Sequence, residues 1–282
     1  MSEILPAWLA LDIGGTKTAW RLQEGFAQSE GEEPTASFEL IPFLRRLKEG
    51  HPGLTAIGVS FAGQVEHGEV VSAPSIDCSR FDWDRVRQEG FRVAIDNDLK
   101  CAIRAEAAMR PGSKTITTLF VGTGIGSATV YSGQILRGER NLAGEVGHLP
   151  WKEAPFRCGC GKTNCLELWG GGAGIARHAA LRGASEKTLE ALDRSPDAIA
   201  REIAAVAYEA IARACAALVL VTNPEVIVLG GSVALKTPGF KERLESLLPS
   251  FIPAFALDGL KLEYSTINNA ALSGAMILAK EF

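Results

Sequence analysis

Twice in this chain an apolar strand runs into a glycine turn and leaves it as a second strand. Residues 7–13, AWLALDI, lead into Gly14-Gly15-Thr16-Lys17-Thr18 and then AWRLQ. Residues 116–121, ITTLFV, lead into Gly122-Thr123-Gly124-Ile125-Gly126 and then SATVYSGQI. Two such units, each with a threonine in its turn, predict an internal duplication. Glycine lets backbone N–H groups approach a phosphate closely, and the threonine hydroxyl adds a donor, so the pair predicts a phosphate clamp. The alternative is two ordinary tight hairpins. Neither turn matches GxxxxGK[ST] or GxGxxG, so spacing excludes the two common nucleotide loops.

The remaining pattern fits two α/β lobes, and 282 residues suffice for both. After the first turn, PFLRRLKEG reads as a helix, LTAIGVSFAG and FRVAIDN as strands, and DLKCAIRAEAAM as a helix. The stretch 24–40 is short and acidic. Residues 197–221 read as a long Ala-rich helix stopped by Asn223-Pro224, and EVIVLGGSV follows as a strand closing on Gly230 and Gly231. The last helix, AALSGAMILAKEF, is expected to cross back to the first lobe. The expected division is a small lobe over 1–110 with the helix 270–282, and a large lobe over 111–269.

Half of the six cysteines crowd into CGCGKTNC, as Cys158, Cys160 and Cys165, with His148 ten residues before the first. Cys158 and Cys160 are too close in sequence to favour a disulfide, and Gly159 and Gly161 allow the tight turns that aim neighbouring sulfurs at one centre. Three thiolates and an imidazole make a closed tetrahedral set of the structural-zinc type, with no position left for a catalytic water. The alternative is a loop of unligated thiols. Cys78, Cys101 and Cys215 lie in apolar or helical contexts and read as buried filler.

Several function classes are excluded. A net charge of −4 argues against a nucleic-acid surface. No apolar run approaches the length of a membrane span, and AALVLV at 216–221 reads as the end of a buried helix. The start lacks a basic leader and a small-residue cleavage site, so a cytoplasmic protein without membrane partners is expected.

In order along the chain, DIGGTKT, IDND before a helix, VGTGIG, GEVGH, CGCGxxxCLE and NPEVIVLGG resemble the ROK family of sugar kinases, repressors and proteins of unknown role. The resemblance runs from about residue 9 to 280. It implies an α/β, two-lobed, actin-like ATPase (ribonuclease H-like) fold with a structural zinc element, a homodimer with its dimerisation surface on the large lobe, and a small-molecule sugar as substrate. It implies ATP and Mg²⁺ as cofactors, with Gly14, Gly15, Thr16 and Lys17 and the turn Thr123, Gly124, Ile125 and Gly126 at the phosphates. Gly230 and Gly231 would lie against the adenosine, and Asp12 would hold Mg²⁺ through water. Asp98 would be the catalytic base, with Asn97 on sugar hydroxyls. Glu145, His148 and Glu167 would line the sugar site, with His148 also joining Cys158, Cys160 and Cys165 on Zn²⁺. The metal is then a clip that fixes the sugar loop.

A simpler role for Asp96, Asn97 and Asp98 is to cap the helix that follows. Glu106 reads as structural. The chain departs from the family pattern at Ala73-Pro74-Ser75, where Ser75 replaces an asparagine, at Lys100, at Asn164 and at Gly171-Gly172. Only eleven residues precede Asp12, so a sugar-responsive repressor with a helix-turn-helix ahead of the first turn is not expected. A non-catalytic sugar sensor keeps the same fold. The activity implied is ATP-dependent phosphorylation of a hexose at its primary hydroxyl. Glucose is expected first, fructose or mannose next and N-acetylated sugars behind, because two acids and an imidazole favour dense vicinal hydroxyls.

Overall fold

The structure is a computed structural model that describes residues 5–282. It divides into two compact units. The first comprises the chain up to Met109, Arg137–Leu142 and Ile267–Phe282, and the second Arg110–Leu136 and Ala143–Thr266. The six residues Arg137–Leu142 belong with the first unit, although the division expected from the sequence groups 111–269 together.

In the first unit the strands are β1 (Ala7–Ile13), β2 (Lys17–Glu24), β3 (Ala27–Pro34), β4 (Leu54–Phe61), β5 (Gln64–Glu66), β6 (Glu69–Ser72) and β7 (Arg92–Asn97). Its helices are α1 (Leu40–Gly50), α2 (Trp83–Gln88), α3 (Asp98–Ala108) and, from the chain end, α11 (Ala270–Ala279). The second unit contains β8 (Thr115–Val121), β9 (Ile125–Tyr131), β10 (Gln134–Ile135), β11 (Val226–Gly230) and β12 (Lys261–Tyr264). Its helices are α4 (Glu167–Gly170), α5 (Gly172–Leu181), α6 (Leu189–Arg194), α7 (Ala198–Thr222), α8 (Gly231–Lys236), α9 (Phe240–Leu247) and α10 (Ala254–Leu257).

The main sheet of the first unit runs β3-β2-β1-β4-β7, and that of the second β10-β9-β8-β11-β12. Each begins with an antiparallel hairpin around a glycine turn and continues with two parallel strands. The two units therefore repeat one plan, as the duplicated strand–turn–strand pattern predicts. The central strands are apolar on both faces: β11 is buried throughout, and β4 all but its second residue. That is the pattern of parallel strands covered on both sides.

The acidic segment after β2 is a strand, which the sequence pattern does not predict. Its composition, AQSEGEEP, lacks β-formers, but β2 supplies a ladder from Lys17↔Pro34 to Glu24↔Ala27. Exposed glutamates on this outer strand discourage pairing with another chain. Gly31 is required in it, because a Cβ there would meet the Trp20 indole at 2.8 Å.

Helix α11 lies against α3 and the first sheet through small residues. A Cβ on Gly274 would collide with the Cys101 carbonyl oxygen, and one on Gly58 with the Ala275 carbonyl oxygen.

Three expectations need correction. With 25 residues, α7 is long and apolar enough to cross a membrane by length and composition. It is apolar because it forms the core of the second unit, with Ala204, Ala207, Ile211, Ala214 and Cys215 fully buried. The strand EVIVLGGSV stops at Gly230, and Gly231, at φ +82°, turns the chain into α8. Cys78 is only half-buried, unlike Cys101 and Cys215.

Candidate active site and metal centre

In the first unit the glycine turn is tied by Gly14 N–H donating to the Lys17 carbonyl at 3.0 Å. Thr35 braces it from the end of β3: its hydroxyl donates to Gly14 O at 2.7 Å and its N–H to Thr16 O at 3.0 Å. Gly15, Thr16 and Lys17 are exposed, and Ser75 packs on the turn so closely that a Cβ on Gly15 would sit 2.8 Å from its own. The ammonium of Lys17 is engaged by Glu32 at 2.6 Å, a surface pair of little energetic weight. At the end of β1, Asp12 accepts the Ser60 hydroxyl at 2.7 Å and the Asn269 amide at 3.0 Å. Burial pushes its carboxyl above the usual range, and these two hydrogen bonds pull it back only in part. A carboxylate so placed is one that a nearby cation would stabilise.

At the junction of β7 and α3 three acidic and amide side chains do separate jobs. Asp96 is buried, 2% exposed. Its carboxylate receives both guanidinium nitrogens of Arg137, at 2.9 and 2.7 Å, with the Asn141 amide at 3.1 Å and Arg104 at 3.5 Å. It also accepts the Asn97 N–H at 2.9 Å. Asn97 is the helix N-cap, taking the Leu99 N–H at 3.0 Å while its own amide donates to Gly63 O at 3.0 Å. Asp98 follows as the first residue of α3, half-buried, with its Oδ1 2.9 Å from the same Leu99 N–H. Capping therefore falls to Asn97. Arg137, Arg104 and Asn141 escape a reading of the sequence, because nothing local links the loop RGERN to an aspartate 41 residues before its arginine. Lys100 and Glu106 are both buried within α3.

In the second unit the other glycine turn closes with Gly122 N–H on Gly124 O at 3.0 Å. The start of α5 reinforces it: Gly172 N–H donates to Gly122 O at 2.8 Å and Ala173 N–H to Thr123 O at 3.0 Å. Gly231 is held to glycine both by its φ and by Val121, whose backbone carbon a Cβ would meet at 2.5 Å. Gly230 is pressed against the Phe120 ring.

The GEVGH loop lies directly on the second turn's outgoing strand. Gly144, at φ +102°, receives the Ser127 hydroxyl on its carbonyl at 2.7 Å, and a Cβ on Gly147 would collide with Ile125 O. Glu167 reaches the turn itself, since a Cβ on Gly124 would sit 2.5 Å from its Oε2. Glu145, His148, Glu167 and the second turn are thus brought together within one unit.

The nitrogen and sulfur atoms of His148, Cys158, Cys160 and Cys165 all lie within 4.8 Å of one another. Cys160 and Cys165 sulfurs are 3.4 Å apart, and Cys158 Sγ is 3.5 Å from His148 Nδ1. A tetrahedron with zinc–sulfur bonds of about 2.3 Å has edges of about 3.8 Å, so donor type, number and spacing fit zinc. Backbone pairing gathers the ligands: Trp151 N–H to Asn164 O and Ala154 N–H to Thr163 O, both 2.7 Å, and Cys158 N–H to Lys162 O at 2.8 Å. Gly161, at φ +90°, makes the turn between the second and third cysteine. Burial raises the Cys165 thiol to about 11 and pushes Cys158 further up, its thiol donating to Glu167 at 2.8 Å. A dication reverses such a preference by stabilising thiolate. Nδ1 of His148 faces the sulfurs, while Nε2 points the other way, 3.8 Å from Glu145.

Comparison with known proteins gives one consistent picture. The family model described as the ROK family matches residues 8–282. An N-acetylmannosamine kinase of Escherichia coli O157:H7 is 30% identical over 289 residues, covering 96% of this chain and 98% of the relative. A ROK hexokinase from Thermus thermophilus superposes with a TM-score of 0.81 at 28% identity, covering 98% of both chains. A ROK glucokinase from Streptomyces griseus, solved with glucose and AMPPNP, shares the fold with a TM-score of 0.76 at 21% identity. The match covers 98% of this chain and 100% of that one.

Proposed function

Because this chain belongs to the ROK family and has its α/β, actin-like ATPase fold, we propose that it is a sugar kinase transferring the γ-phosphoryl group of ATP to a sugar hydroxyl. One observation carries the reading. Asp98 stands half-buried at the first position of α3, on a junction whose helix cap is Asn97 and whose strand end is held through Asp96. A carboxylate is thus presented from a fixed piece of backbone. Phosphoryl transfer depends mainly on positioning and on charge stabilisation, and a carboxylate beside the acceptor hydroxyl takes its proton as the new bond forms. Asp98 has that role here, worth about 10²–10⁴ in rate.

The glycine turns at Gly14–Lys17 and Thr123–Gly126 serve the phosphates through backbone N–H groups, and Gly230 and Gly231 the adenosine. Mg²⁺, when bound, neutralises phosphate charge, and Asp12 is the carboxylate suited to hold it through water. Asn97, Glu145, His148 and Glu167 take sugar hydroxyls. Zinc, when bound by His148, Cys158, Cys160 and Cys165, cross-links the loop that carries them. The imidazole can then hold metal through Nδ1 and a hydroxyl through Nε2, and Glu167 follows the last cysteine by two residues. Such support keeps a binding site within sub-ångström tolerance.

Glucose remains the first expectation among sugars, on the density of acceptors for vicinal hydroxyls. The Escherichia coli relative's name favours a second reading, an N-acetylhexosamine, for which an acetamido group must be accommodated. ADP release with ATP and Mg²⁺ over glucose, fructose, mannose, N-acetylglucosamine and N-acetylmannosamine decides between them by kcat/KM. A preference for N-acetylmannosamine reverses the ranking, and no turnover with any sugar overturns the kinase reading.

A further inference from the structure

Asp96 is a buried carboxylate that does not cap α3 and has no part in the proposed chemistry, yet it collects five hydrogen-bond or ionic contacts. Three of them converge on its Oδ1: Arg137 Nη1 at 2.9 Å, Asn141 Nδ2 at 3.1 Å and the Asn97 N–H at 2.9 Å. The last of these is the backbone of the residue immediately before Asp98. The carboxylate's orientation is set chiefly by the two-pronged grip of Arg137, because Arg104 approaches one oxygen only, at 3.5 Å. A planar guanidinium fixes a carboxylate in plane and distance, which an ammonium does not.

Arg137 is itself held in place. Its Nη1 donates to Asn141 Oδ1 at 3.0 Å, and Asn141, at φ +58°, donates on to Val65 O at 3.0 Å. Arg140 pairs with Glu66 at 2.7 Å in the same loop. The loop is thus anchored on β5 at two points, and its guanidinium is a fixed reference against which the end of β7 is set.

From these contacts we infer that Arg137 is a positioning residue for phosphoryl transfer, acting through Asp96 and the Asn97 peptide to fix where Asp98 projects from the start of α3. The inference rests on the assignment of Asp98 as the base. A displacement of about 1 Å at a reacting group can cost a hundredfold in rate, so a loose junction is felt in kcat. The phosphate turn at Gly14–Lys17 has no member in this network, and ATP binding is not expected to follow it.

The test is a double-mutant cycle on the full chain with the best sugar from the panel, measuring kcat, KM for ATP and thermal midpoint. Arg137→Lys keeps the charge but loses the fork, and kcat is expected to fall about tenfold or more with KM for ATP changed less than about threefold. Asn141→Gly, which tolerates the positive φ, loosens the same loop without removing a charge and is expected to lower kcat severalfold. This second variant keeps the inference testable if Arg137→Lys folds poorly. Arg137→Lys combined with Asp98→Asn is expected to be no slower than Asp98→Asn alone, because a positioning residue has nothing left to position. Multiplying losses, or near-native kcat in both single variants, overturns the inference while leaving the base assignment intact. Native turnover in Asp98→Asn overturns both.

Discussion

Asp98→Asn separates chemistry from structure at one atom. The amide oxygen of the replacement side chain keeps the acceptor that Leu99 N–H uses at 2.9 Å, and Asn97 retains the N-cap. The negative charge at the start of α3, worth about 0.3–1 kcal/mol against the helix dipole, is removed. For a chain of this size the thermal midpoint should drop by no more than about 4 °C. Loss of the base should cost about 10²–10⁴ in kcat, a barrier increase of roughly 2.7–5.4 kcal/mol. The two effects differ by several-fold in energy and are read in separate assays, a coupled ADP-release measurement and a thermal melt. Near-native kcat would refute the base assignment. A rate loss matched by a large drop in midpoint would show that Asp98 is a structural cap after all.

Purified protein should contain about one zinc per chain, and Cys160→Ser should lose it and weaken sugar affinity more than ATP affinity; elemental analysis without zinc, or equal loss of both affinities, contradicts this. Gly274→Ala should destabilise by about 3 kcal/mol or more, since its methyl collides with the Cys101 carbonyl between α11 and α3. Gly50→Ala, at the last residue of α1 with no positive φ and nothing within 4 Å of the new methyl, should instead stabilise by about 0.4–1 kcal/mol, both changes being read by denaturant titration. His178 is buried against Trp169, ring centroids 4.1 Å apart, with an unpartnered Nε2, and burial lowers its pKa from the ordinary 6.5. Protonation therefore favours the unfolded chain: the stability from this group is fully present above pH 6.5 and is lost as pH falls through the lower folded-state pKa, by at most about 1.4 kcal/mol per unit. His178→Phe should flatten that slope, and an unchanged pH dependence of unfolding would disprove the assignment.

Much of this protein is local in origin and so legible in its sequence. Strands β1, β4 and β11 are largely apolar runs because both faces are covered, and that pattern needs no partner to be read. The zinc set is compact in sequence, and ligand type and number alone specify its chemistry. Asp98 stands out only through the family resemblance, because an acid that opens a helix also fits a cap. Strand β3 is not legible, because its residues have no β preference and pair only since β2 offers an unfilled edge.

Tertiary structure decides what depends on distant partners. The length and apolarity of α7 are shared by a membrane span and a core helix, and only its packing inside the second unit distinguishes them. Gly230 and Gly231 look alike in sequence, but φ and the Val121 backbone turn the chain at the second. By residue type alone Asp96, Asn97 and Asp98 could each cap the helix that follows. Division of labour among them comes from Arg137 and Asn141, 41 and 45 residues beyond Asp96, and from Gly63, 34 residues before Asn97. Residue type and short-range spacing determine which groups this chain can bring to a reaction; the long-range contacts that fix their roles carry no local signature and arise only when the chain folds.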